Sequence, residues 1–421
     1  MHPDASAAAA RRCQEARGIP VPGTVSQRLS DTTGQPARPA LARAVVDLAA
    51  IAHNTRLLAQ HARGELMAVV KADGFGHGAV QVARHALAHG ASWLGVACVA
   101  EALALRTAGI TQPVLAWLYL TREEIEAALA AAVDLSVACV GQLRQVAAAA
   151  EATGIPARIH LKIDTGLRRG GAEAADWPQL ICVARGFEQR GLLDVHGVWS
   201  HLIHADRPTH PDTAGQIRAF DTAVAQAEDA GLRPALRHLA NSAAALDAPV
   251  THYDLARAGL GLYGIEPVTG AGFGLRPALT LHTRVLMTRG VAAGKGVCYG
   301  HDYTTPAATT LALVPVGFAD GLPRAASPGA RMWLAGERRP VVGRIAMDQC
   351  VLDAGAAAAV GTGDEVIVFG PGHHGEPTVK DWARWAGTSP HEILTGIGPR
   401  VLRHYQEAPH TPHHLLEGRT P

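Results

Sequence analysis

Residues 68–78 read AVVKADGFGHG: an apolar run stops at a single lysine, Lys71, and passes at once into Asp73, three glycines and His77. With the residues before it, "LMAVVK" (66–71) has the length and branched apolar content of a buried strand. The glycines behind it read as a tight turn. Burial withdraws the water that stabilises an ammonium, so a lysine at the carboxyl end of such a strand has a lowered pKa. A neutral amine there can attack an aldehyde and form a Schiff base. A lysine that snorkels its head to the rim is the plainer alternative. Gly74, Gly76 and Gly78 would let the backbone approach a bound group closely.

Working outward, the same strand-then-helix rhythm repeats from about residue 42. Strand-like runs are "ARAVVDL" (42–48), "LMAVVK", "WLGVAC" (93–98), "PVLAW" (113–117), "DLSVAC" (134–139), "ARIHLKID" (157–164), "LDVHGVWS" (193–200) and "PALRHLA" (234–240). Helical periodicity lies between most of them, over 78–89, 121–132, 141–153 and 210–230. Gly90, Gly109, Gly154, Gly191 and Gly231 stand where helices end. Alternating strand and helix implies parallel strands. About eight units fit an α/β fold of the (β/α)8, TIM-like barrel type, which takes about 250 residues; a doubly wound open sheet is the alternative. A barrel keeps its chemistry at the carboxyl ends of its strands, where Lys71 stands.

After about residue 276 helical stretches become rare and Gly/Pro-bounded β runs dominate: "LTLHTRVLMT", "TLALVPVGF", "RMWLA", "VVGRIAM" and "EVIVFG", closed by short helices near 378–394. The expected organisation is a disordered extension over 1–40, a barrel over 41–275, a mainly-β domain over 276–406 and a loose tail over 407–421. With 38 basic and 37 acidic side chains the net charge is +1, which excludes a polybasic nucleic-acid surface or an acidic tail. The six cysteines are scattered and form no Cys-x-x-Cys pair, as expected of reduced thiols in a cytoplasmic protein. No apolar run approaches the ~20 residues of a membrane span, and residues 1–18 lack the apolar core of a secretory signal.

Further motifs carry polar groups at strand ends. "HLKIDTGLRRGG" (160–171) holds Lys162 and Arg169, and "VWSHLIHAD" (198–206) holds His201. "HLANSAAAL" (238–246) places Asn241 and Ser242 at a helix start, where one caps and free N–H groups can cradle a phosphate. "ARAGLGLYG" (256–264) contains G-x-G-x-x-G, but it falls late in the barrel with no acidic residue about 20 positions on, against a dinucleotide fingerprint. "VCYGHDYT" (297–304) and "GRIAMDQC" (343–350) supply Tyr299, Met347 and Asp348.

Taken together, these motifs and the barrel-plus-β order resemble the alanine racemases over about residues 42–405. The resemblance implies a pyridoxal 5'-phosphate enzyme that interconverts L- and D-alanine, supplies D-alanine for peptidoglycan, and works as a homodimer with its sites at the subunit interface. It implies that Lys71 carries the cofactor and serves as one base, and that Tyr299 of the partner chain is the other. It implies cofactor contacts from Arg169, His201, Asn241, Ser242, Arg257, the Gly259 and Leu260 amides, and His391. Arg169 and Met347 would meet the substrate, Lys162 would be a carbamate facing Arg169, and Asp348 would lie behind them. Arg257 at the pyridine nitrogen would hydrogen-bond without protonating it, leaving a weaker electron sink that favours proton transfer.

The sequence departs from the family at four positions. Phe75, Phe318 and His391 stand where tyrosines are usual, and Arg168 replaces a glycine. By the resemblance, the tyrosine hydroxyl absent at Phe75 would have made a bond to the cofactor phosphate worth roughly 0.5–1.5 kcal/mol. The three tyrosine changes suggest that serine or other small polar amino acids are accepted beside alanine. Two other classes compete. A metal hydrolase on the same barrel would use Lys162, His201 and His238, though the early His-x-His pair of such enzymes is missing. A non-catalytic pyridoxal-phosphate carrier would need neither the β domain nor Tyr299. The cluster His201, His204, Asp206 and His210 is read as structural or solvated, with no metal ligands assigned.

Overall fold

The computed structural model describes residues 40–407. The expected extension and tail, apart from residues 40 and 407, lie outside them.

Eight parallel strands form a nearly closed barrel: β2 (Glu65–Val69), β3 (Trp93–Cys98), β4 (Val114–Leu118), β5 (Asp134–Val137), β6 (Ala157–Lys162), β7 (Leu193–Trp199), β8 (Leu236–His238) and β9 (Leu255–Ala258). The sheet runs in the order β8-β7-β6-β5-β4-β3-β2-β9. The last gap is bridged by two backbone bonds, Asp254 N–H to Arg237 O at 3.1 Å and Arg257 N–H to Ala240 O at 3.0 Å. Helices start on local signals. Thr121 and Glu124 form a capping box before the helix Arg122–Ala130, and Asp47 caps Leu48–His61. All five glycines expected at helix ends have positive φ.

Two parts of the sequence reading are corrected here. The run 42–48 is not the first barrel strand. It forms β1 (Ala42–Asp47), which pairs antiparallel with β10 (Leu279–Arg284) and parallel with β19 (Leu402–Gln406). Ala42, Ala44, Val46 and Leu48 accordingly pack into the core of the β domain, not of the barrel. Pattern alone does not distinguish the two, because both environments bury an apolar strand. The missing barrel strand is β9, four residues of Leu-Ala-Arg-Ala without a β-branched side chain. It is fixed as a strand by pairing with β2 at Leu66–Ala256 and Met67–Arg257.

The β domain contains a six-stranded sheet of β16 (Glu337–Pro340), β15 (Arg331–Leu334), β18 (Glu365–Phe369), β10, β1 and β19, and a three-stranded sheet of β11 (Met287–Val291), β14 (Thr309–Val314) and β17 (Cys350–Asp353). The run "LTLHTRVLMT" is therefore two strands in two sheets. "VVGRIAM" is a loop with one isolated bridge, Val341 to Leu352. Gly343, at φ 69°, turns the chain there, where a Cβ would lie 2.8 Å from the Val297 carbonyl oxygen. Among the described residues no helix is long and apolar enough to cross a membrane.

Candidate active site

Lys71 lies two residues beyond β2 and opens a turn through Phe75 in which Ala72, Asp73, Gly74 and Phe75 all have φ between 51° and 61°. Left-handed backbone costs roughly 1–2 kcal/mol at each non-glycine residue, so the surroundings must hold it. Glu101 does so by accepting the Ala72 N–H at 2.6 Å and the Ala97 N–H at 2.7 Å; Asp73 accepts the Ala79 N–H at 2.9 Å. The turn aims Lys71 into a cleft of about 460 Å³ at the carboxyl ends of the strands, shared with Arg169, His201, Ser242, Arg257 and His391. Burial first, and then the Arg169 charge, push the Lys71 pKa down, against a small opposing pull from Glu101. The glycines after it have a different task from the one expected. A Cβ on Gly76 would lie 2.3 Å from the Leu394 carbonyl oxygen, and one on Gly78 would lie 1.9 Å from the Tyr405 hydroxyl. They admit the C-terminal segment rather than a bound group.

The far wall is cationic. Lys162, at the end of β6, stands behind that wall rather than lining the cleft, with its Nζ 4.5 Å over the Trp199 ring, and burial together with Arg169 and Arg257 lowers it to about 8. Arg257 is buried on β9. Its Nη1 donates to His238 O at 2.8 Å, and its Nη2 donates to Ser200 O at 2.8 Å, Leu239 O at 3.2 Å and His201 Nδ1 at 3.3 Å. Burial brings its pKa down to about 9, so it remains a cation at neutral pH, with a narrower margin than the sequence reading allowed. No hydrogen bond to its Nε forms among the described residues, which leaves that N–H for an acceptor in the cleft. Loss of water around the ring first, and then the Arg257 guanidinium that donates to it, hold His201 neutral, with a pKa lowered to about 3.

At the other end Asn241 caps the helix Ser242–Asp247 by accepting the Ala243 and Ala244 amides at 3.1 and 3.2 Å. Ser242 Oγ accepts the Gly259 and Gly261 amides at 2.9 and 3.2 Å. Its two lone pairs are thus used and its O–H is left to donate outward. The Gly259 amide, expected to face a phosphate, is taken by Ser242 instead; Leu260 lines the cleft beside it. Phe75 stacks on Tyr263 at 4.6 Å and faces His391 at 5.7 Å between ring centroids. Burial and then Lys71 lower the His391 pKa. Arg168 takes a φ of 56°, the left-handed region that a glycine would occupy without strain.

Three expected residues do not join this cleft within one chain. Tyr299 is 71% exposed and Met347 56% exposed, and neither lines it. Asp348 pairs with Arg400 at 2.6 Å. Phe318 is likewise exposed and outside the lining. The hydrolase set is not assembled either, because both His201 and His238 face the Arg257 guanidinium, which opposes a metal cation. The grouping of metal-ligand type among the described residues is His204, His210 and Asp212, near the surface, with His204 Nδ1 taken by Arg207 at 2.9 Å. Two aromatic walls, Trp117 and Trp199, were missed by the sequence reading. Trp199 lies inside the quoted "VWSH", and its place two residues before His201 was the available signal.

The buried histidines carry a consequence for stability. His77 and His238 are fully buried, and burial lowers the first to about 4 and the second well below 6.5. Unfolded imidazoles titrate near 6.5, so below that pH the unfolded chain binds protons that the folded chain excludes. Stability is full above about pH 6.5 and falls as the pH drops toward 4. Two such groups give a slope of about 2–3 kcal/mol per pH unit in that window. Denaturant unfolding at fixed protein concentration across pH 4.5–7 measures it; a flat profile would mean that these rings are charged in the fold.

A half-buried amine and two guanidiniums gathered at the strand ends of a barrel define a lysine-centred barrel enzyme. Family models described as alanine racemase N-terminal domain and alanine racemase C-terminal domain match residues 46–267 and 278–405. The alanine racemase of Salinispora arenicola is 51% identical over 361 residues, 86% of this chain and 97% of its own; that of Streptomyces coelicolor is 48% identical over 389 residues, 90% and 99%. The crystal structure of alanine racemase from D-cycloserine-producing Streptomyces lavendulae superposes with a TM-score of 0.86 at 46% identity, covering 88% of this chain and 98% of that one. The chain belongs to the alanine racemase family.

Proposed function

We propose that this enzyme interconverts L- and D-alanine with pyridoxal 5'-phosphate, and that it supplies D-alanine for peptidoglycan. The observation that carries the reading is Lys71, held by a strained turn in a cleft with Arg169, Arg257 and Ser242. The donor set suits the cofactor: an amine for its aldehyde, the outward O–H of Ser242 for its phosphate, and the remaining Arg257 N–H for its ring nitrogen. When bound, the cofactor supplies an electron-withdrawing ring that stabilises negative charge at the substrate Cα.

The chain's own residues do the rest. Arg257 donates a hydrogen bond and keeps its proton, which moderates that withdrawal and leaves proton transfer as the favoured path. Arg169 holds the substrate carboxylate. Lys71, with its lowered pKa, takes or returns the Cα proton on the face of the D-enantiomer. Tyr299 of a second copy serves the opposite face, consistent with its exposure in a single chain. Lys162, at about 8, has the neutral fraction needed to become a carbamate, and the anion would pair with Arg169.

The test is an absorption spectrum of the protein supplied with pyridoxal phosphate, followed by borohydride reduction and peptide mapping. A visible band and a pyridoxyl group fixed on Lys71 are expected. A protein that stays colourless overturns the reading. Turnover of L-serine beside L-alanine at equal concentration tests the wider specificity suggested by Phe75, Phe318 and His391; a negligible serine rate removes that suggestion.

A further inference from the structure

The inside of a barrel is ordinarily filled by layers of apolar side chains. Here a line of titratable groups runs through it. Asp134, on the first residue of β5, accepts Arg158 Nε–H at 2.8 Å through Oδ1, and its Oδ2 lies 3.1 Å from His160 Nε2. His160 Nδ1 lies 2.8 Å from His238 Nε2, and His238 Nδ1 lies 3.2 Å from Arg257 Nη1. Asp134, His160, His238 and Arg257 are all buried. Space for the line is built in: at Gly197 a Cβ would come 2.3 Å from His160 Nδ1. Trp199 stacks on His238, with ring planes 2° apart, and Trp93 meets His160 edge-on.

The two ends set the direction of every bond in the line. A guanidinium only donates, so His238 Nδ1 accepts, and the ring's one proton is on Nε2. That proton faces His160 Nδ1, which must accept in turn, so the His160 proton is on Nε2 and points at the carboxylate. The reverse order would set two donors against each other at Arg257. The charged and titratable groups around the line are Arg106, Arg158, Asp194 and His196 at one end, and Lys71, Lys162, Arg169 and His201 at the other. Within the line Asp134 is the one anion.

We propose that Asp134, His160 and His238 form a one-way hydrogen-bond relay across the barrel core, in which Asp134 acts as the remote counter-charge that orients Arg257 and holds it as a cation. They are positioning residues, acting on the reaction through Arg257. Their role in catalysis rests on the functional reading above, but the relay itself does not.

The relay is tested first on the unmodified protein, by nitrogen-15 NMR of its imidazoles, assigned with single His160→Gln and His238→Gln variants. Both rings are expected as Nε2–H tautomers. An Nδ1–H tautomer or an imidazolium at either position overturns the proposal, whether or not the protein binds cofactor. The catalytic consequence is tested with Asp134→Asn, which keeps the shape and removes the charge. It is expected to lower kcat about tenfold with little change in KM, and to move the alkaline limit of the bound cofactor's absorption band down by about one pH unit. Arg158→Met strips the same carboxylate of its other partner and should cost stability without lowering that limit. An unchanged limit in Asp134→Asn, or an equal shift in Arg158→Met, overturns the positioning role. Failure of the functional reading is separate: it shows as the absence of any cofactor band in the unmodified protein.

Discussion

Lys71→Ala is expected to lower alanine racemisation by more than about 10³-fold, because one side chain supplies both the amine for the cofactor and one of the two bases. The fold should survive. Lys71 makes no salt bridge among the described residues, its ammonium merely lies 5.3 Å from the Trp117 ring centroid, and the turn behind it is held by Glu101 and Asp73. Borohydride should then fix no pyridoxyl group on the peptide carrying residue 71. An added small amine such as methylamine should restore part of the activity, since the cavity left by the truncated side chain opens onto a cleft that already disfavours a charged amine. Turnover within tenfold of the unmodified enzyme would falsify the assignment of Lys71.

Tyr299→Phe should lower turnover by about 10²–10⁴-fold, the usual contribution of a positioned acid or base. L- and D-alanine have equal free energies in water, so kcat/KM must fall equally in both directions in any variant. The asymmetry appears instead in hydrogen exchange. In heavy water the variant should still wash deuterium into the Cα of D-alanine through Lys71, and should fail to do so with L-alanine. Symmetric exchange would remove the two-base assignment. Mixing the Lys71→Ala and Tyr299→Phe proteins tests where the tyrosine comes from. If it reaches the cleft of a second copy, a mixed dimer regains one intact site, and random mixing recovers about a quarter of full activity. If base and tyrosine act within one chain, mixing recovers nothing. Each outcome bears on the 71% exposure of Tyr299, which a partner chain would cover.

Much of the cleft could be read in sequence because its residues sit within short stretches whose local geometry is set nearby. Lys71 follows a buried strand directly, Asn241 caps the helix that follows it, and Arg169 and His201 come just after β6 and β7. Roles that depend on distant chain could not be read that way. Gly76 and Gly78 looked like room for a ligand, yet the atoms that forbid a side chain there belong to Leu394 and Tyr405, more than 300 residues away. His160 and Asp134 looked like ordinary strand residues until four strands, β5, β6, β8 and β9, brought them into line with His238 and Arg257.

The sequence by itself determined the local order of this protein: parallel strands from the alternation of strand and helix, a reactive lysine at a strand end, and a β domain behind it. These follow from periodicity, capping and turn chemistry, which act over a few residues. Only the tertiary structure decided that the first strand belongs to the β domain, that Leu255–Ala258 closes the barrel, and that Tyr299 stands apart from Lys71 within one chain. Each of these is a choice among partners of equal local merit. It is made by which distant strand or surface offers the complementary hydrogen bonds and apolar area, and short-range pattern carries no record of that choice.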